Sequence, residues 1–220
     1  MKRILLYGAT GRTGELIVRC ALQKGYAVTA LVRNPAKLNL AAEHLTVIKG
    51  SPTDLEAVRR AMPGCDAVIS ALSALSESES FSRQKLTPLH TLATAMRHTI
   101  TAMHEYGLRR VVTLSSIGAG DSWPLAPWYM RLIIRLTNFK LVFADHNQQE
   151  ALLRQSGLDW TIARPVALNN NEKLGQLVVR YQQTPAPFAI SRRQLAAFMV
   201  NCLETNDFLR QAPLLSEKPA

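Results

Sequence analysis

The sequence predicts an α/β fold: a doubly wound parallel sheet with helices on both faces, one domain over 1–220, and a small C-terminal substrate-side region. Three observations predict it. Short, continuously apolar runs alternate with longer segments whose apolar residues recur at helical spacing, as for strands buried on both faces by crossover helices. Glycine, or Pro-Gly, closes most of the helical segments. The first strand also runs directly into a glycine-rich turn that opens a helix, Gly8-Ala9-Thr10-Gly11-Arg12-Thr13-Gly14.

In order, Ile4 to Tyr7 is the first strand, and Glu15 to Lys24 is a helix with Leu16, Ile17, Cys20 and Ala21 on one face, closed by Gly25. Tyr26 to Val32 is the second strand and Leu45 to Ile48 the third. Asp54 is suited to cap a helix running to about Met62, which Pro63-Gly64 ends before strand four at Ala67 to Ala71. Ser73 to Ser82, rich in Ser and Glu, reads as a loop. A long helix fits Gln84 to Tyr106, followed by strand five at Arg110 to Leu114. His146 to Gln155 is helical up to Gly157, and Trp160 to Ala163 is strand six. Residues 188–203 read as a short strand, a Ser191 cap and an amphipathic helix; from Gln211 on, Ala-Pro and Lys-Pro suggest a loose tail. The substrate-side segments are then about 117–140 and 166–205.

With 47% apolar residues in 220, the chain can bury a full core, which excludes disorder as its main state. No apolar run reaches the roughly 18–20 residues of a membrane span, and the stretch after Lys2-Arg3 stops at Gly8, too short for a signal peptide. A soluble, cytoplasmic monomer or homodimer is expected. Cys20, Cys65 and Cys202 lie far apart and suit neither a disulfide framework nor zinc, and no metal is expected. The net charge of +10 calls for an anionic partner. Its basic residues are dispersed, with adjacent pairs only at Arg59-Arg60, Arg109-Arg110 and Arg192-Arg193, so a nucleic-acid partner would rest on charge alone.

Ligands of such sheets bind beyond the carboxyl ends of the strands, at the topological switch point. That directs attention to Gly8–Gly14, Arg33–Lys37, Ser70–Ser73, Ser115–Gly120 and Arg164–Ala167. Side chains at Gly8, Gly11 and Gly14 would block the tight turn, keep the backbone from a pyrophosphate and push the helix off the sheet. The N–H groups of Thr10 to Gly14 then meet the phosphate charge at the helix start. About 20 residues on, an acid would hold the ribose 2′-hydroxyl of NAD, whereas Arg accommodates the 2′-phosphate of NADP. Strand two ends instead at Arg33, followed by Asn34-Pro35-Ala36-Lys37, with Arg12 inside the glycine loop. The expected cofactor is NADP(H), with NADPH bound at least about tenfold tighter than NADH.

The runs Gly-Ala-Thr-Gly-Arg-Thr-Gly at 8–14, Leu-Val-Arg-Asn-Pro at 31–35, Val-Val-Thr-Leu-Ser-Ser at 111–116 and Ser-Gly-Leu-Asp-Trp-Thr-Ile-Ala-Arg-Pro at 156–165 resemble the atypical short-chain dehydrogenases. More narrowly, the chain is similar to the NmrA-like, NAD(P)H-binding group that includes biliverdin-IXβ/flavin reductases. The resemblance covers about residues 2–205 and implies a Rossmann domain with NADP at the glycine loop. It also implies Ser73 along the cofactor, Ser115 and Ser116 flanking the nicotinamide, and Pro165-Val166 passing beside it. The chain departs from many relatives at Gly50-Ser51, where they have Gly-Asp with the Asp beside the adenine. It departs again at Ser73-Ala74-Leu75, where flavin-reductase-like members have Gly-Thr-Arg, and at His146, where many have Lys.

Short-chain dehydrogenases typically use Tyr-x-x-x-Lys, the Lys lowering the pKa of a proton-donating Tyr. Position i+4 is Gly11, Ala30, Arg110, Ile133 and Pro185 after Tyr7, Tyr26, Tyr106, Tyr129 and Tyr181, so the pair is absent. The catalytic candidates are therefore Ser116, whose hydroxyl would orient an acceptor, Tyr129, and His146 as a proton donor. Hydride transfer to a delocalised acceptor asks least of such a site, since solvent can supply the proton. The expected activity is an NADPH-dependent reduction of a flavin-, tetrapyrrole-, quinone- or carbonyl-type small molecule. The alternative is a non-catalytic, NADP(H)-sensing regulator acting through a protein partner. The segment Asp121 to Leu136, with Trp123, Trp128, Arg131 and Arg135, reads as a helix packed on its own domain, a lid with an aromatic wall, or a surface facing a second subunit or a membrane.

Overall fold

The computed structural model describes residues 1–38, 40–75, 77–82 and 90–219. The strands are β1 (Arg3–Tyr7), β2 (Ala27–Val32), β3 (Leu45–Lys49), β4 (Ala67–Ser70), β5 (Arg110–Leu114), β6 (Asp159–Pro165), β7 (Ala167–Asn169), β8 (Gln176–Arg180), β9 (Ala189–Ser191) and β10 (Leu214–Lys218). Among the described residues, eight form one sheet in the order β3-β2-β1-β4-β5-β6-β10-β8, while β7 and β9 pair separately. Neighbours from β3 to β10 are parallel, and β8 runs antiparallel to β10.

The helices are α1 (Arg12–Gln23), α2 (Leu55–Ala61), α3 (Glu77–Phe81), α4 (Thr91–Glu105), α5 (Trp128–Leu136), α6 (Phe139–Gln155) and α7 (Arg192–Asn201). Alternate side chains of each strand serve opposite faces. Ile4 and Leu6 pack with Ile17 and Val18 of α1 and Leu195 and Met199 of α7. Leu5 and Tyr7 pack with Val58 of α2 and Met96 and Met103 of α4 on the other face. Burial from both sides is why these strands read as unbroken apolar runs.

Three expectations change. The segment from Gln211 is no loose tail: Leu214 and Leu215 are fully buried in β10, which adds to the sheet beside β6, with the Arg164 N–H donating to the Pro213 carbonyl at 3.0 Å. Pro213 stands just before the strand, where a missing N–H is tolerated, so the prolines flank a strand. Helix α6 starts at Phe139 rather than His146: Val142 and Phe143 are buried in the added turns together with Asp145, a polar residue that interrupts the apolar period there. Within Ser73 to Ser82 the short helix α3 forms; Ser76 and the expected helical start at 84–89 lie outside the described residues. Asp145 is buried for a reason: it accepts the Leu92 and Ala93 N–H groups, both at 2.9 Å, and so caps α4 from a neighbouring helix.

Candidate cofactor site and catalytic groups

The sheet order places β1 between β2 and β4, and the chain leaves β1 and β4 toward opposite faces, which opens a crevice past their carboxyl ends. Gly8 has φ +83°, and a Cβ there would collide with the Ala71 carbonyl beyond β4. A Cβ on Gly14 would overlap the Gly8 carbonyl oxygen, so its absence lets α1 start directly on the turn. Gly11 differs. It is exposed, has an ordinary φ of −89°, and a Cβ would meet only the Gly8 oxygen at 3.3 Å. Packing explains the outer glycines but not the central one, which leaves open the approach to the N-terminus of α1. Among the described residues no side chain caps that helix end. Unfilled space over an uncapped, positively polarised helix start fits a pyrophosphate. Thr10 and Arg12 are exposed around it, and Thr13 is buried beneath.

Next to β1, strand β2 delivers Arg33 to the same edge. Pro35 starts a single 3₁₀ turn, Pro35–Lys37, which the Asn34 side chain caps by accepting from the Ala36 N–H at 3.1 Å. Arg33 and Lys37 are exposed, and among the described residues neither side chain has a hydrogen-bond or ion-pair partner. Arg19, Arg59 and Arg109, by contrast, each pair with an acid. Unneutralised cations beside a phosphate cradle fit a further phosphate. Ser51 is half-buried and shares a 2.7 Å hydrogen bond with the Thr53 hydroxyl, while the exposed Ser73 donates to the Leu75 carbonyl at 2.7 Å.

At the ends of β5 and β6 the two adjacent serines differ. Ser115 is buried and its hydroxyl donates to Glu150 Oε1 at 2.7 Å. Glu150 also takes Arg164, through Nε at 3.0 Å and through Nη2, and Arg164 reaches Asp121 at 2.5 Å. Burial alone would lower the Arg164 pKa, but Glu150 and Asp121 outweigh it and raise it. Burial pushes Asp121 up, yet Arg164 and then Arg154 leave its carboxyl below the ordinary value. Composition and spacing gave no sign of this network, although Arg164 lies in the 156–165 motif. Its members are far apart in sequence.

Ser116 is half-buried at this edge, and among the described residues its hydroxyl donates only to the adjoining Ile117 carbonyl, at 3.2 Å. Pro165 and Val166 are buried; the Ile117 N–H donates to the Pro165 carbonyl at 3.1 Å and the Val166 N–H to Leu215 at 3.0 Å, which ties both loops to the sheet. Tyr129 is 45% exposed on α5, its ring edge-on to Phe188 at 6.4 Å, just before β9. His146 is buried one helical turn before Glu150, its Nδ1 without a partner, and burial lowers its pKa against the opposing pull of Glu150 and Asp145. It is a neutral imidazole near pH 7, and no hydrogen bond joins it to Ser116 or Tyr129 among the described residues. The described residues also hold no His, Cys, Asp and Glu group suited to a metal, and no helix long and apolar enough to cross a membrane.

The model of the NAD(P)H-binding family matches residues 8–206. An uncharacterised chloroplastic protein of Arabidopsis thaliana is 29% identical over 210 residues, covering 92% of this chain and 72% of that protein. Cinnamoyl-CoA reductase 1 of Petunia hybrida is 33% identical over 124 residues, a match to 53% of this chain that spans only 35% of the enzyme. Among solved structures, ChuY of Escherichia coli O157:H7, described as an anaerobillin reductase, has a TM-score of 0.79 at 24% identity, with each chain covered in full. A Veillonella parvula short-chain dehydrogenase/reductase in complex with NADP has a TM-score of 0.74 at 20% identity, covering 98% of this chain and 94% of that one. Both share the fold. With the family match running from the glycine cradle through α7, this chain belongs to the NAD(P)H-binding family.

Proposed function

We propose that the protein is an NADPH-dependent reductase of a flat, conjugated or carbonyl-bearing small molecule, of flavin, tetrapyrrole, quinone or carbonyl type. The observation that carries this reading is the edge beyond β5 and β6. There the half-buried Ser116 follows β5 at the carboxyl edge of the sheet whose β1 carries the glycine cradle, and Tyr129 and Phe188, in the segments after β5 and before β9, form an aromatic pair. Bound there, NADPH supplies the hydride.

The chain supplies placement. Gly11 and the first turn of α1 would hold the pyrophosphate, and Arg33 and Lys37, with Arg12 in the loop, would take the 2′-phosphate. Ser116 donates a hydrogen bond to the acceptor oxygen, which orients the acceptor and stabilises charge that develops on it. The Tyr129 ring, edge-on to Phe188, offers it an aromatic wall on one side. The proton comes from solvent, because Ser115 is spent on Glu150 and His146 is neutral and buried.

The test is NADPH oxidation against an acceptor panel, read by its absorbance. Ser116→Ala lowers kcat by roughly tenfold or more. Unchanged kcat for every accepted substrate removes Ser116 from the reaction. Tight NADPH binding with no turnover on any acceptor points instead to an NADP(H)-sensing regulator.

A further inference from the structure

The nine residues of α5 read Trp-Tyr-Met-Arg-Leu-Ile-Ile-Arg-Leu. Helical spacing sets Trp128, Leu132 and Leu136 in one row with Tyr129 and Ile133 beside them, and places Ile134 on the opposite side. The buried side is satisfied, since Ile134 packs with Ala119 and Phe143, and Met130 joins them. The other side is not: Trp128 is 72% exposed, Leu136 53%, Leu132 49% and Ile133 39%. Contiguous large apolar side chains on one outward helix face are not the scattered exposure of an ordinary surface.

Charge decides what covers this face. Arg131 and Arg135 line one margin, with the Arg135 guanidinium 5.6 Å over the Trp123 ring. Lys140 follows, and no Asp or Glu occurs from Ser122 to Ala144. Glu79 of α3 lies at the C-terminal end, where its carbonyl accepts the Asn138 side chain. A second copy docked face to face about a two-fold axis would set Arg131, Arg135 and Lys140 near their own counterparts, on chains of net charge +10 each. An anionic lipid surface instead satisfies both halves of the helix. Its acyl boundary takes Trp128, Leu132 and Leu136, and its headgroup phosphates take the flanking cations.

We propose that α5 docks the protein peripherally on an anionic lipid bilayer. Among the described residues no helix can span one, so the attachment lies in the interface plane. The dispersed positive charge of the rest of the chain draws the protein toward such a surface from a distance. This inference does not rest on the reductase reading.

The test is co-sedimentation of the full chain with vesicles of phosphatidylcholine alone or mixed with phosphatidylglycerol. The chain binds the mixed vesicles, binds phosphatidylcholine at least about tenfold more weakly, and is released by high salt. Leu132→Ser/Leu136→Ser and, separately, Arg135→Glu each reduce partitioning roughly tenfold or more, while NADPH titration and circular dichroism match the parent. Three results overturn the proposal: no binding to either vesicle, binding that survives both variants, or a dimer in sedimentation velocity that the Ser variant dissociates. A chain that binds vesicles but oxidises no NADPH refutes the reductase and leaves the docking surface standing.

Discussion

Replacing Arg164 with Met removes the cation from a pair whose members are 3% and 2% exposed. Glu150 then keeps one partner, the Ser115 hydroxyl at 2.7 Å, where water barely reaches. Taking one member from a buried ion pair costs about 3–5 kcal/mol, because the remaining charge is desolvated and uncompensated. At about 2–4 °C per kcal/mol for a chain of this size, Tm falls by roughly 6–20 °C. Glu150→Leu is the milder change. Arg164 retains Asp121 at 2.5 Å, so the loss is about 1–3 kcal/mol. The double variant carries neither buried charge and recovers most of the Arg164→Met loss, with the Ser115 hydroxyl as the main residual cost. Urea titration of the parent, both single variants and the double variant measures the coupling directly. Arg164→Met within about 1 kcal/mol of the parent, or a double variant equal to the sum of the singles, refutes the pair as a coupled buried unit.

The cofactor site separates packing from binding. Gly14→Ala forces a Cβ against the Gly8 carbonyl and costs roughly 1–3 kcal/mol or prevents folding, whereas Gly11→Ala keeps stability within about 1 kcal/mol and loses NADPH affinity; calorimetry and titration distinguish them, and equal thermal stability of the two variants contradicts the geometry. Arg33→Ala/Lys37→Ala weakens NADPH about tenfold or more with NADH unchanged, and an equal loss for both nucleotides would place these cations away from the 2′-phosphate. Burial depresses the His146 pKa, so its contribution to stability is complete above the unfolded value of about 6.5 and is lost as pH falls toward the folded value, at up to about 1.4 kcal/mol per pH unit. His146→Leu flattens that part of the melting profile; parallel profiles for parent and variant would show that the imidazole is not held neutral by burial.

How much was legible differs between the cofactor half and the acceptor half. The Gly8 to Gly14 spacing, the strand before it, the helix after it and Arg33 in place of an acid are all local features, and the structure sets them around one crevice. In the acceptor half two features were not legible. Ser115 and Ser116 look equivalent in sequence, yet one hydroxyl points to Glu150 and the other only to the next carbonyl. His146 reads in sequence as a candidate proton donor, and α6 buries it among Asp145, Gln149 and Glu150.

By itself, the sequence determined the alternation of strands and helices and the glycine turn that opens α1, because apolar periodicity, turn chemistry and a motif's spacing act over a few residues. Only the tertiary structure decided that Leu214 and Leu215 extend the sheet, that Asp145 caps α4, and that Ser115, Glu150, Arg164 and Asp121 form one network. It alone left the apolar face of α5 outward. A backbone segment chooses its conformation largely from its neighbours in sequence. A buried polar group, or an apolar face, takes its partner from whatever the fold brings within a few ångströms, and that choice is written nowhere in its own segment.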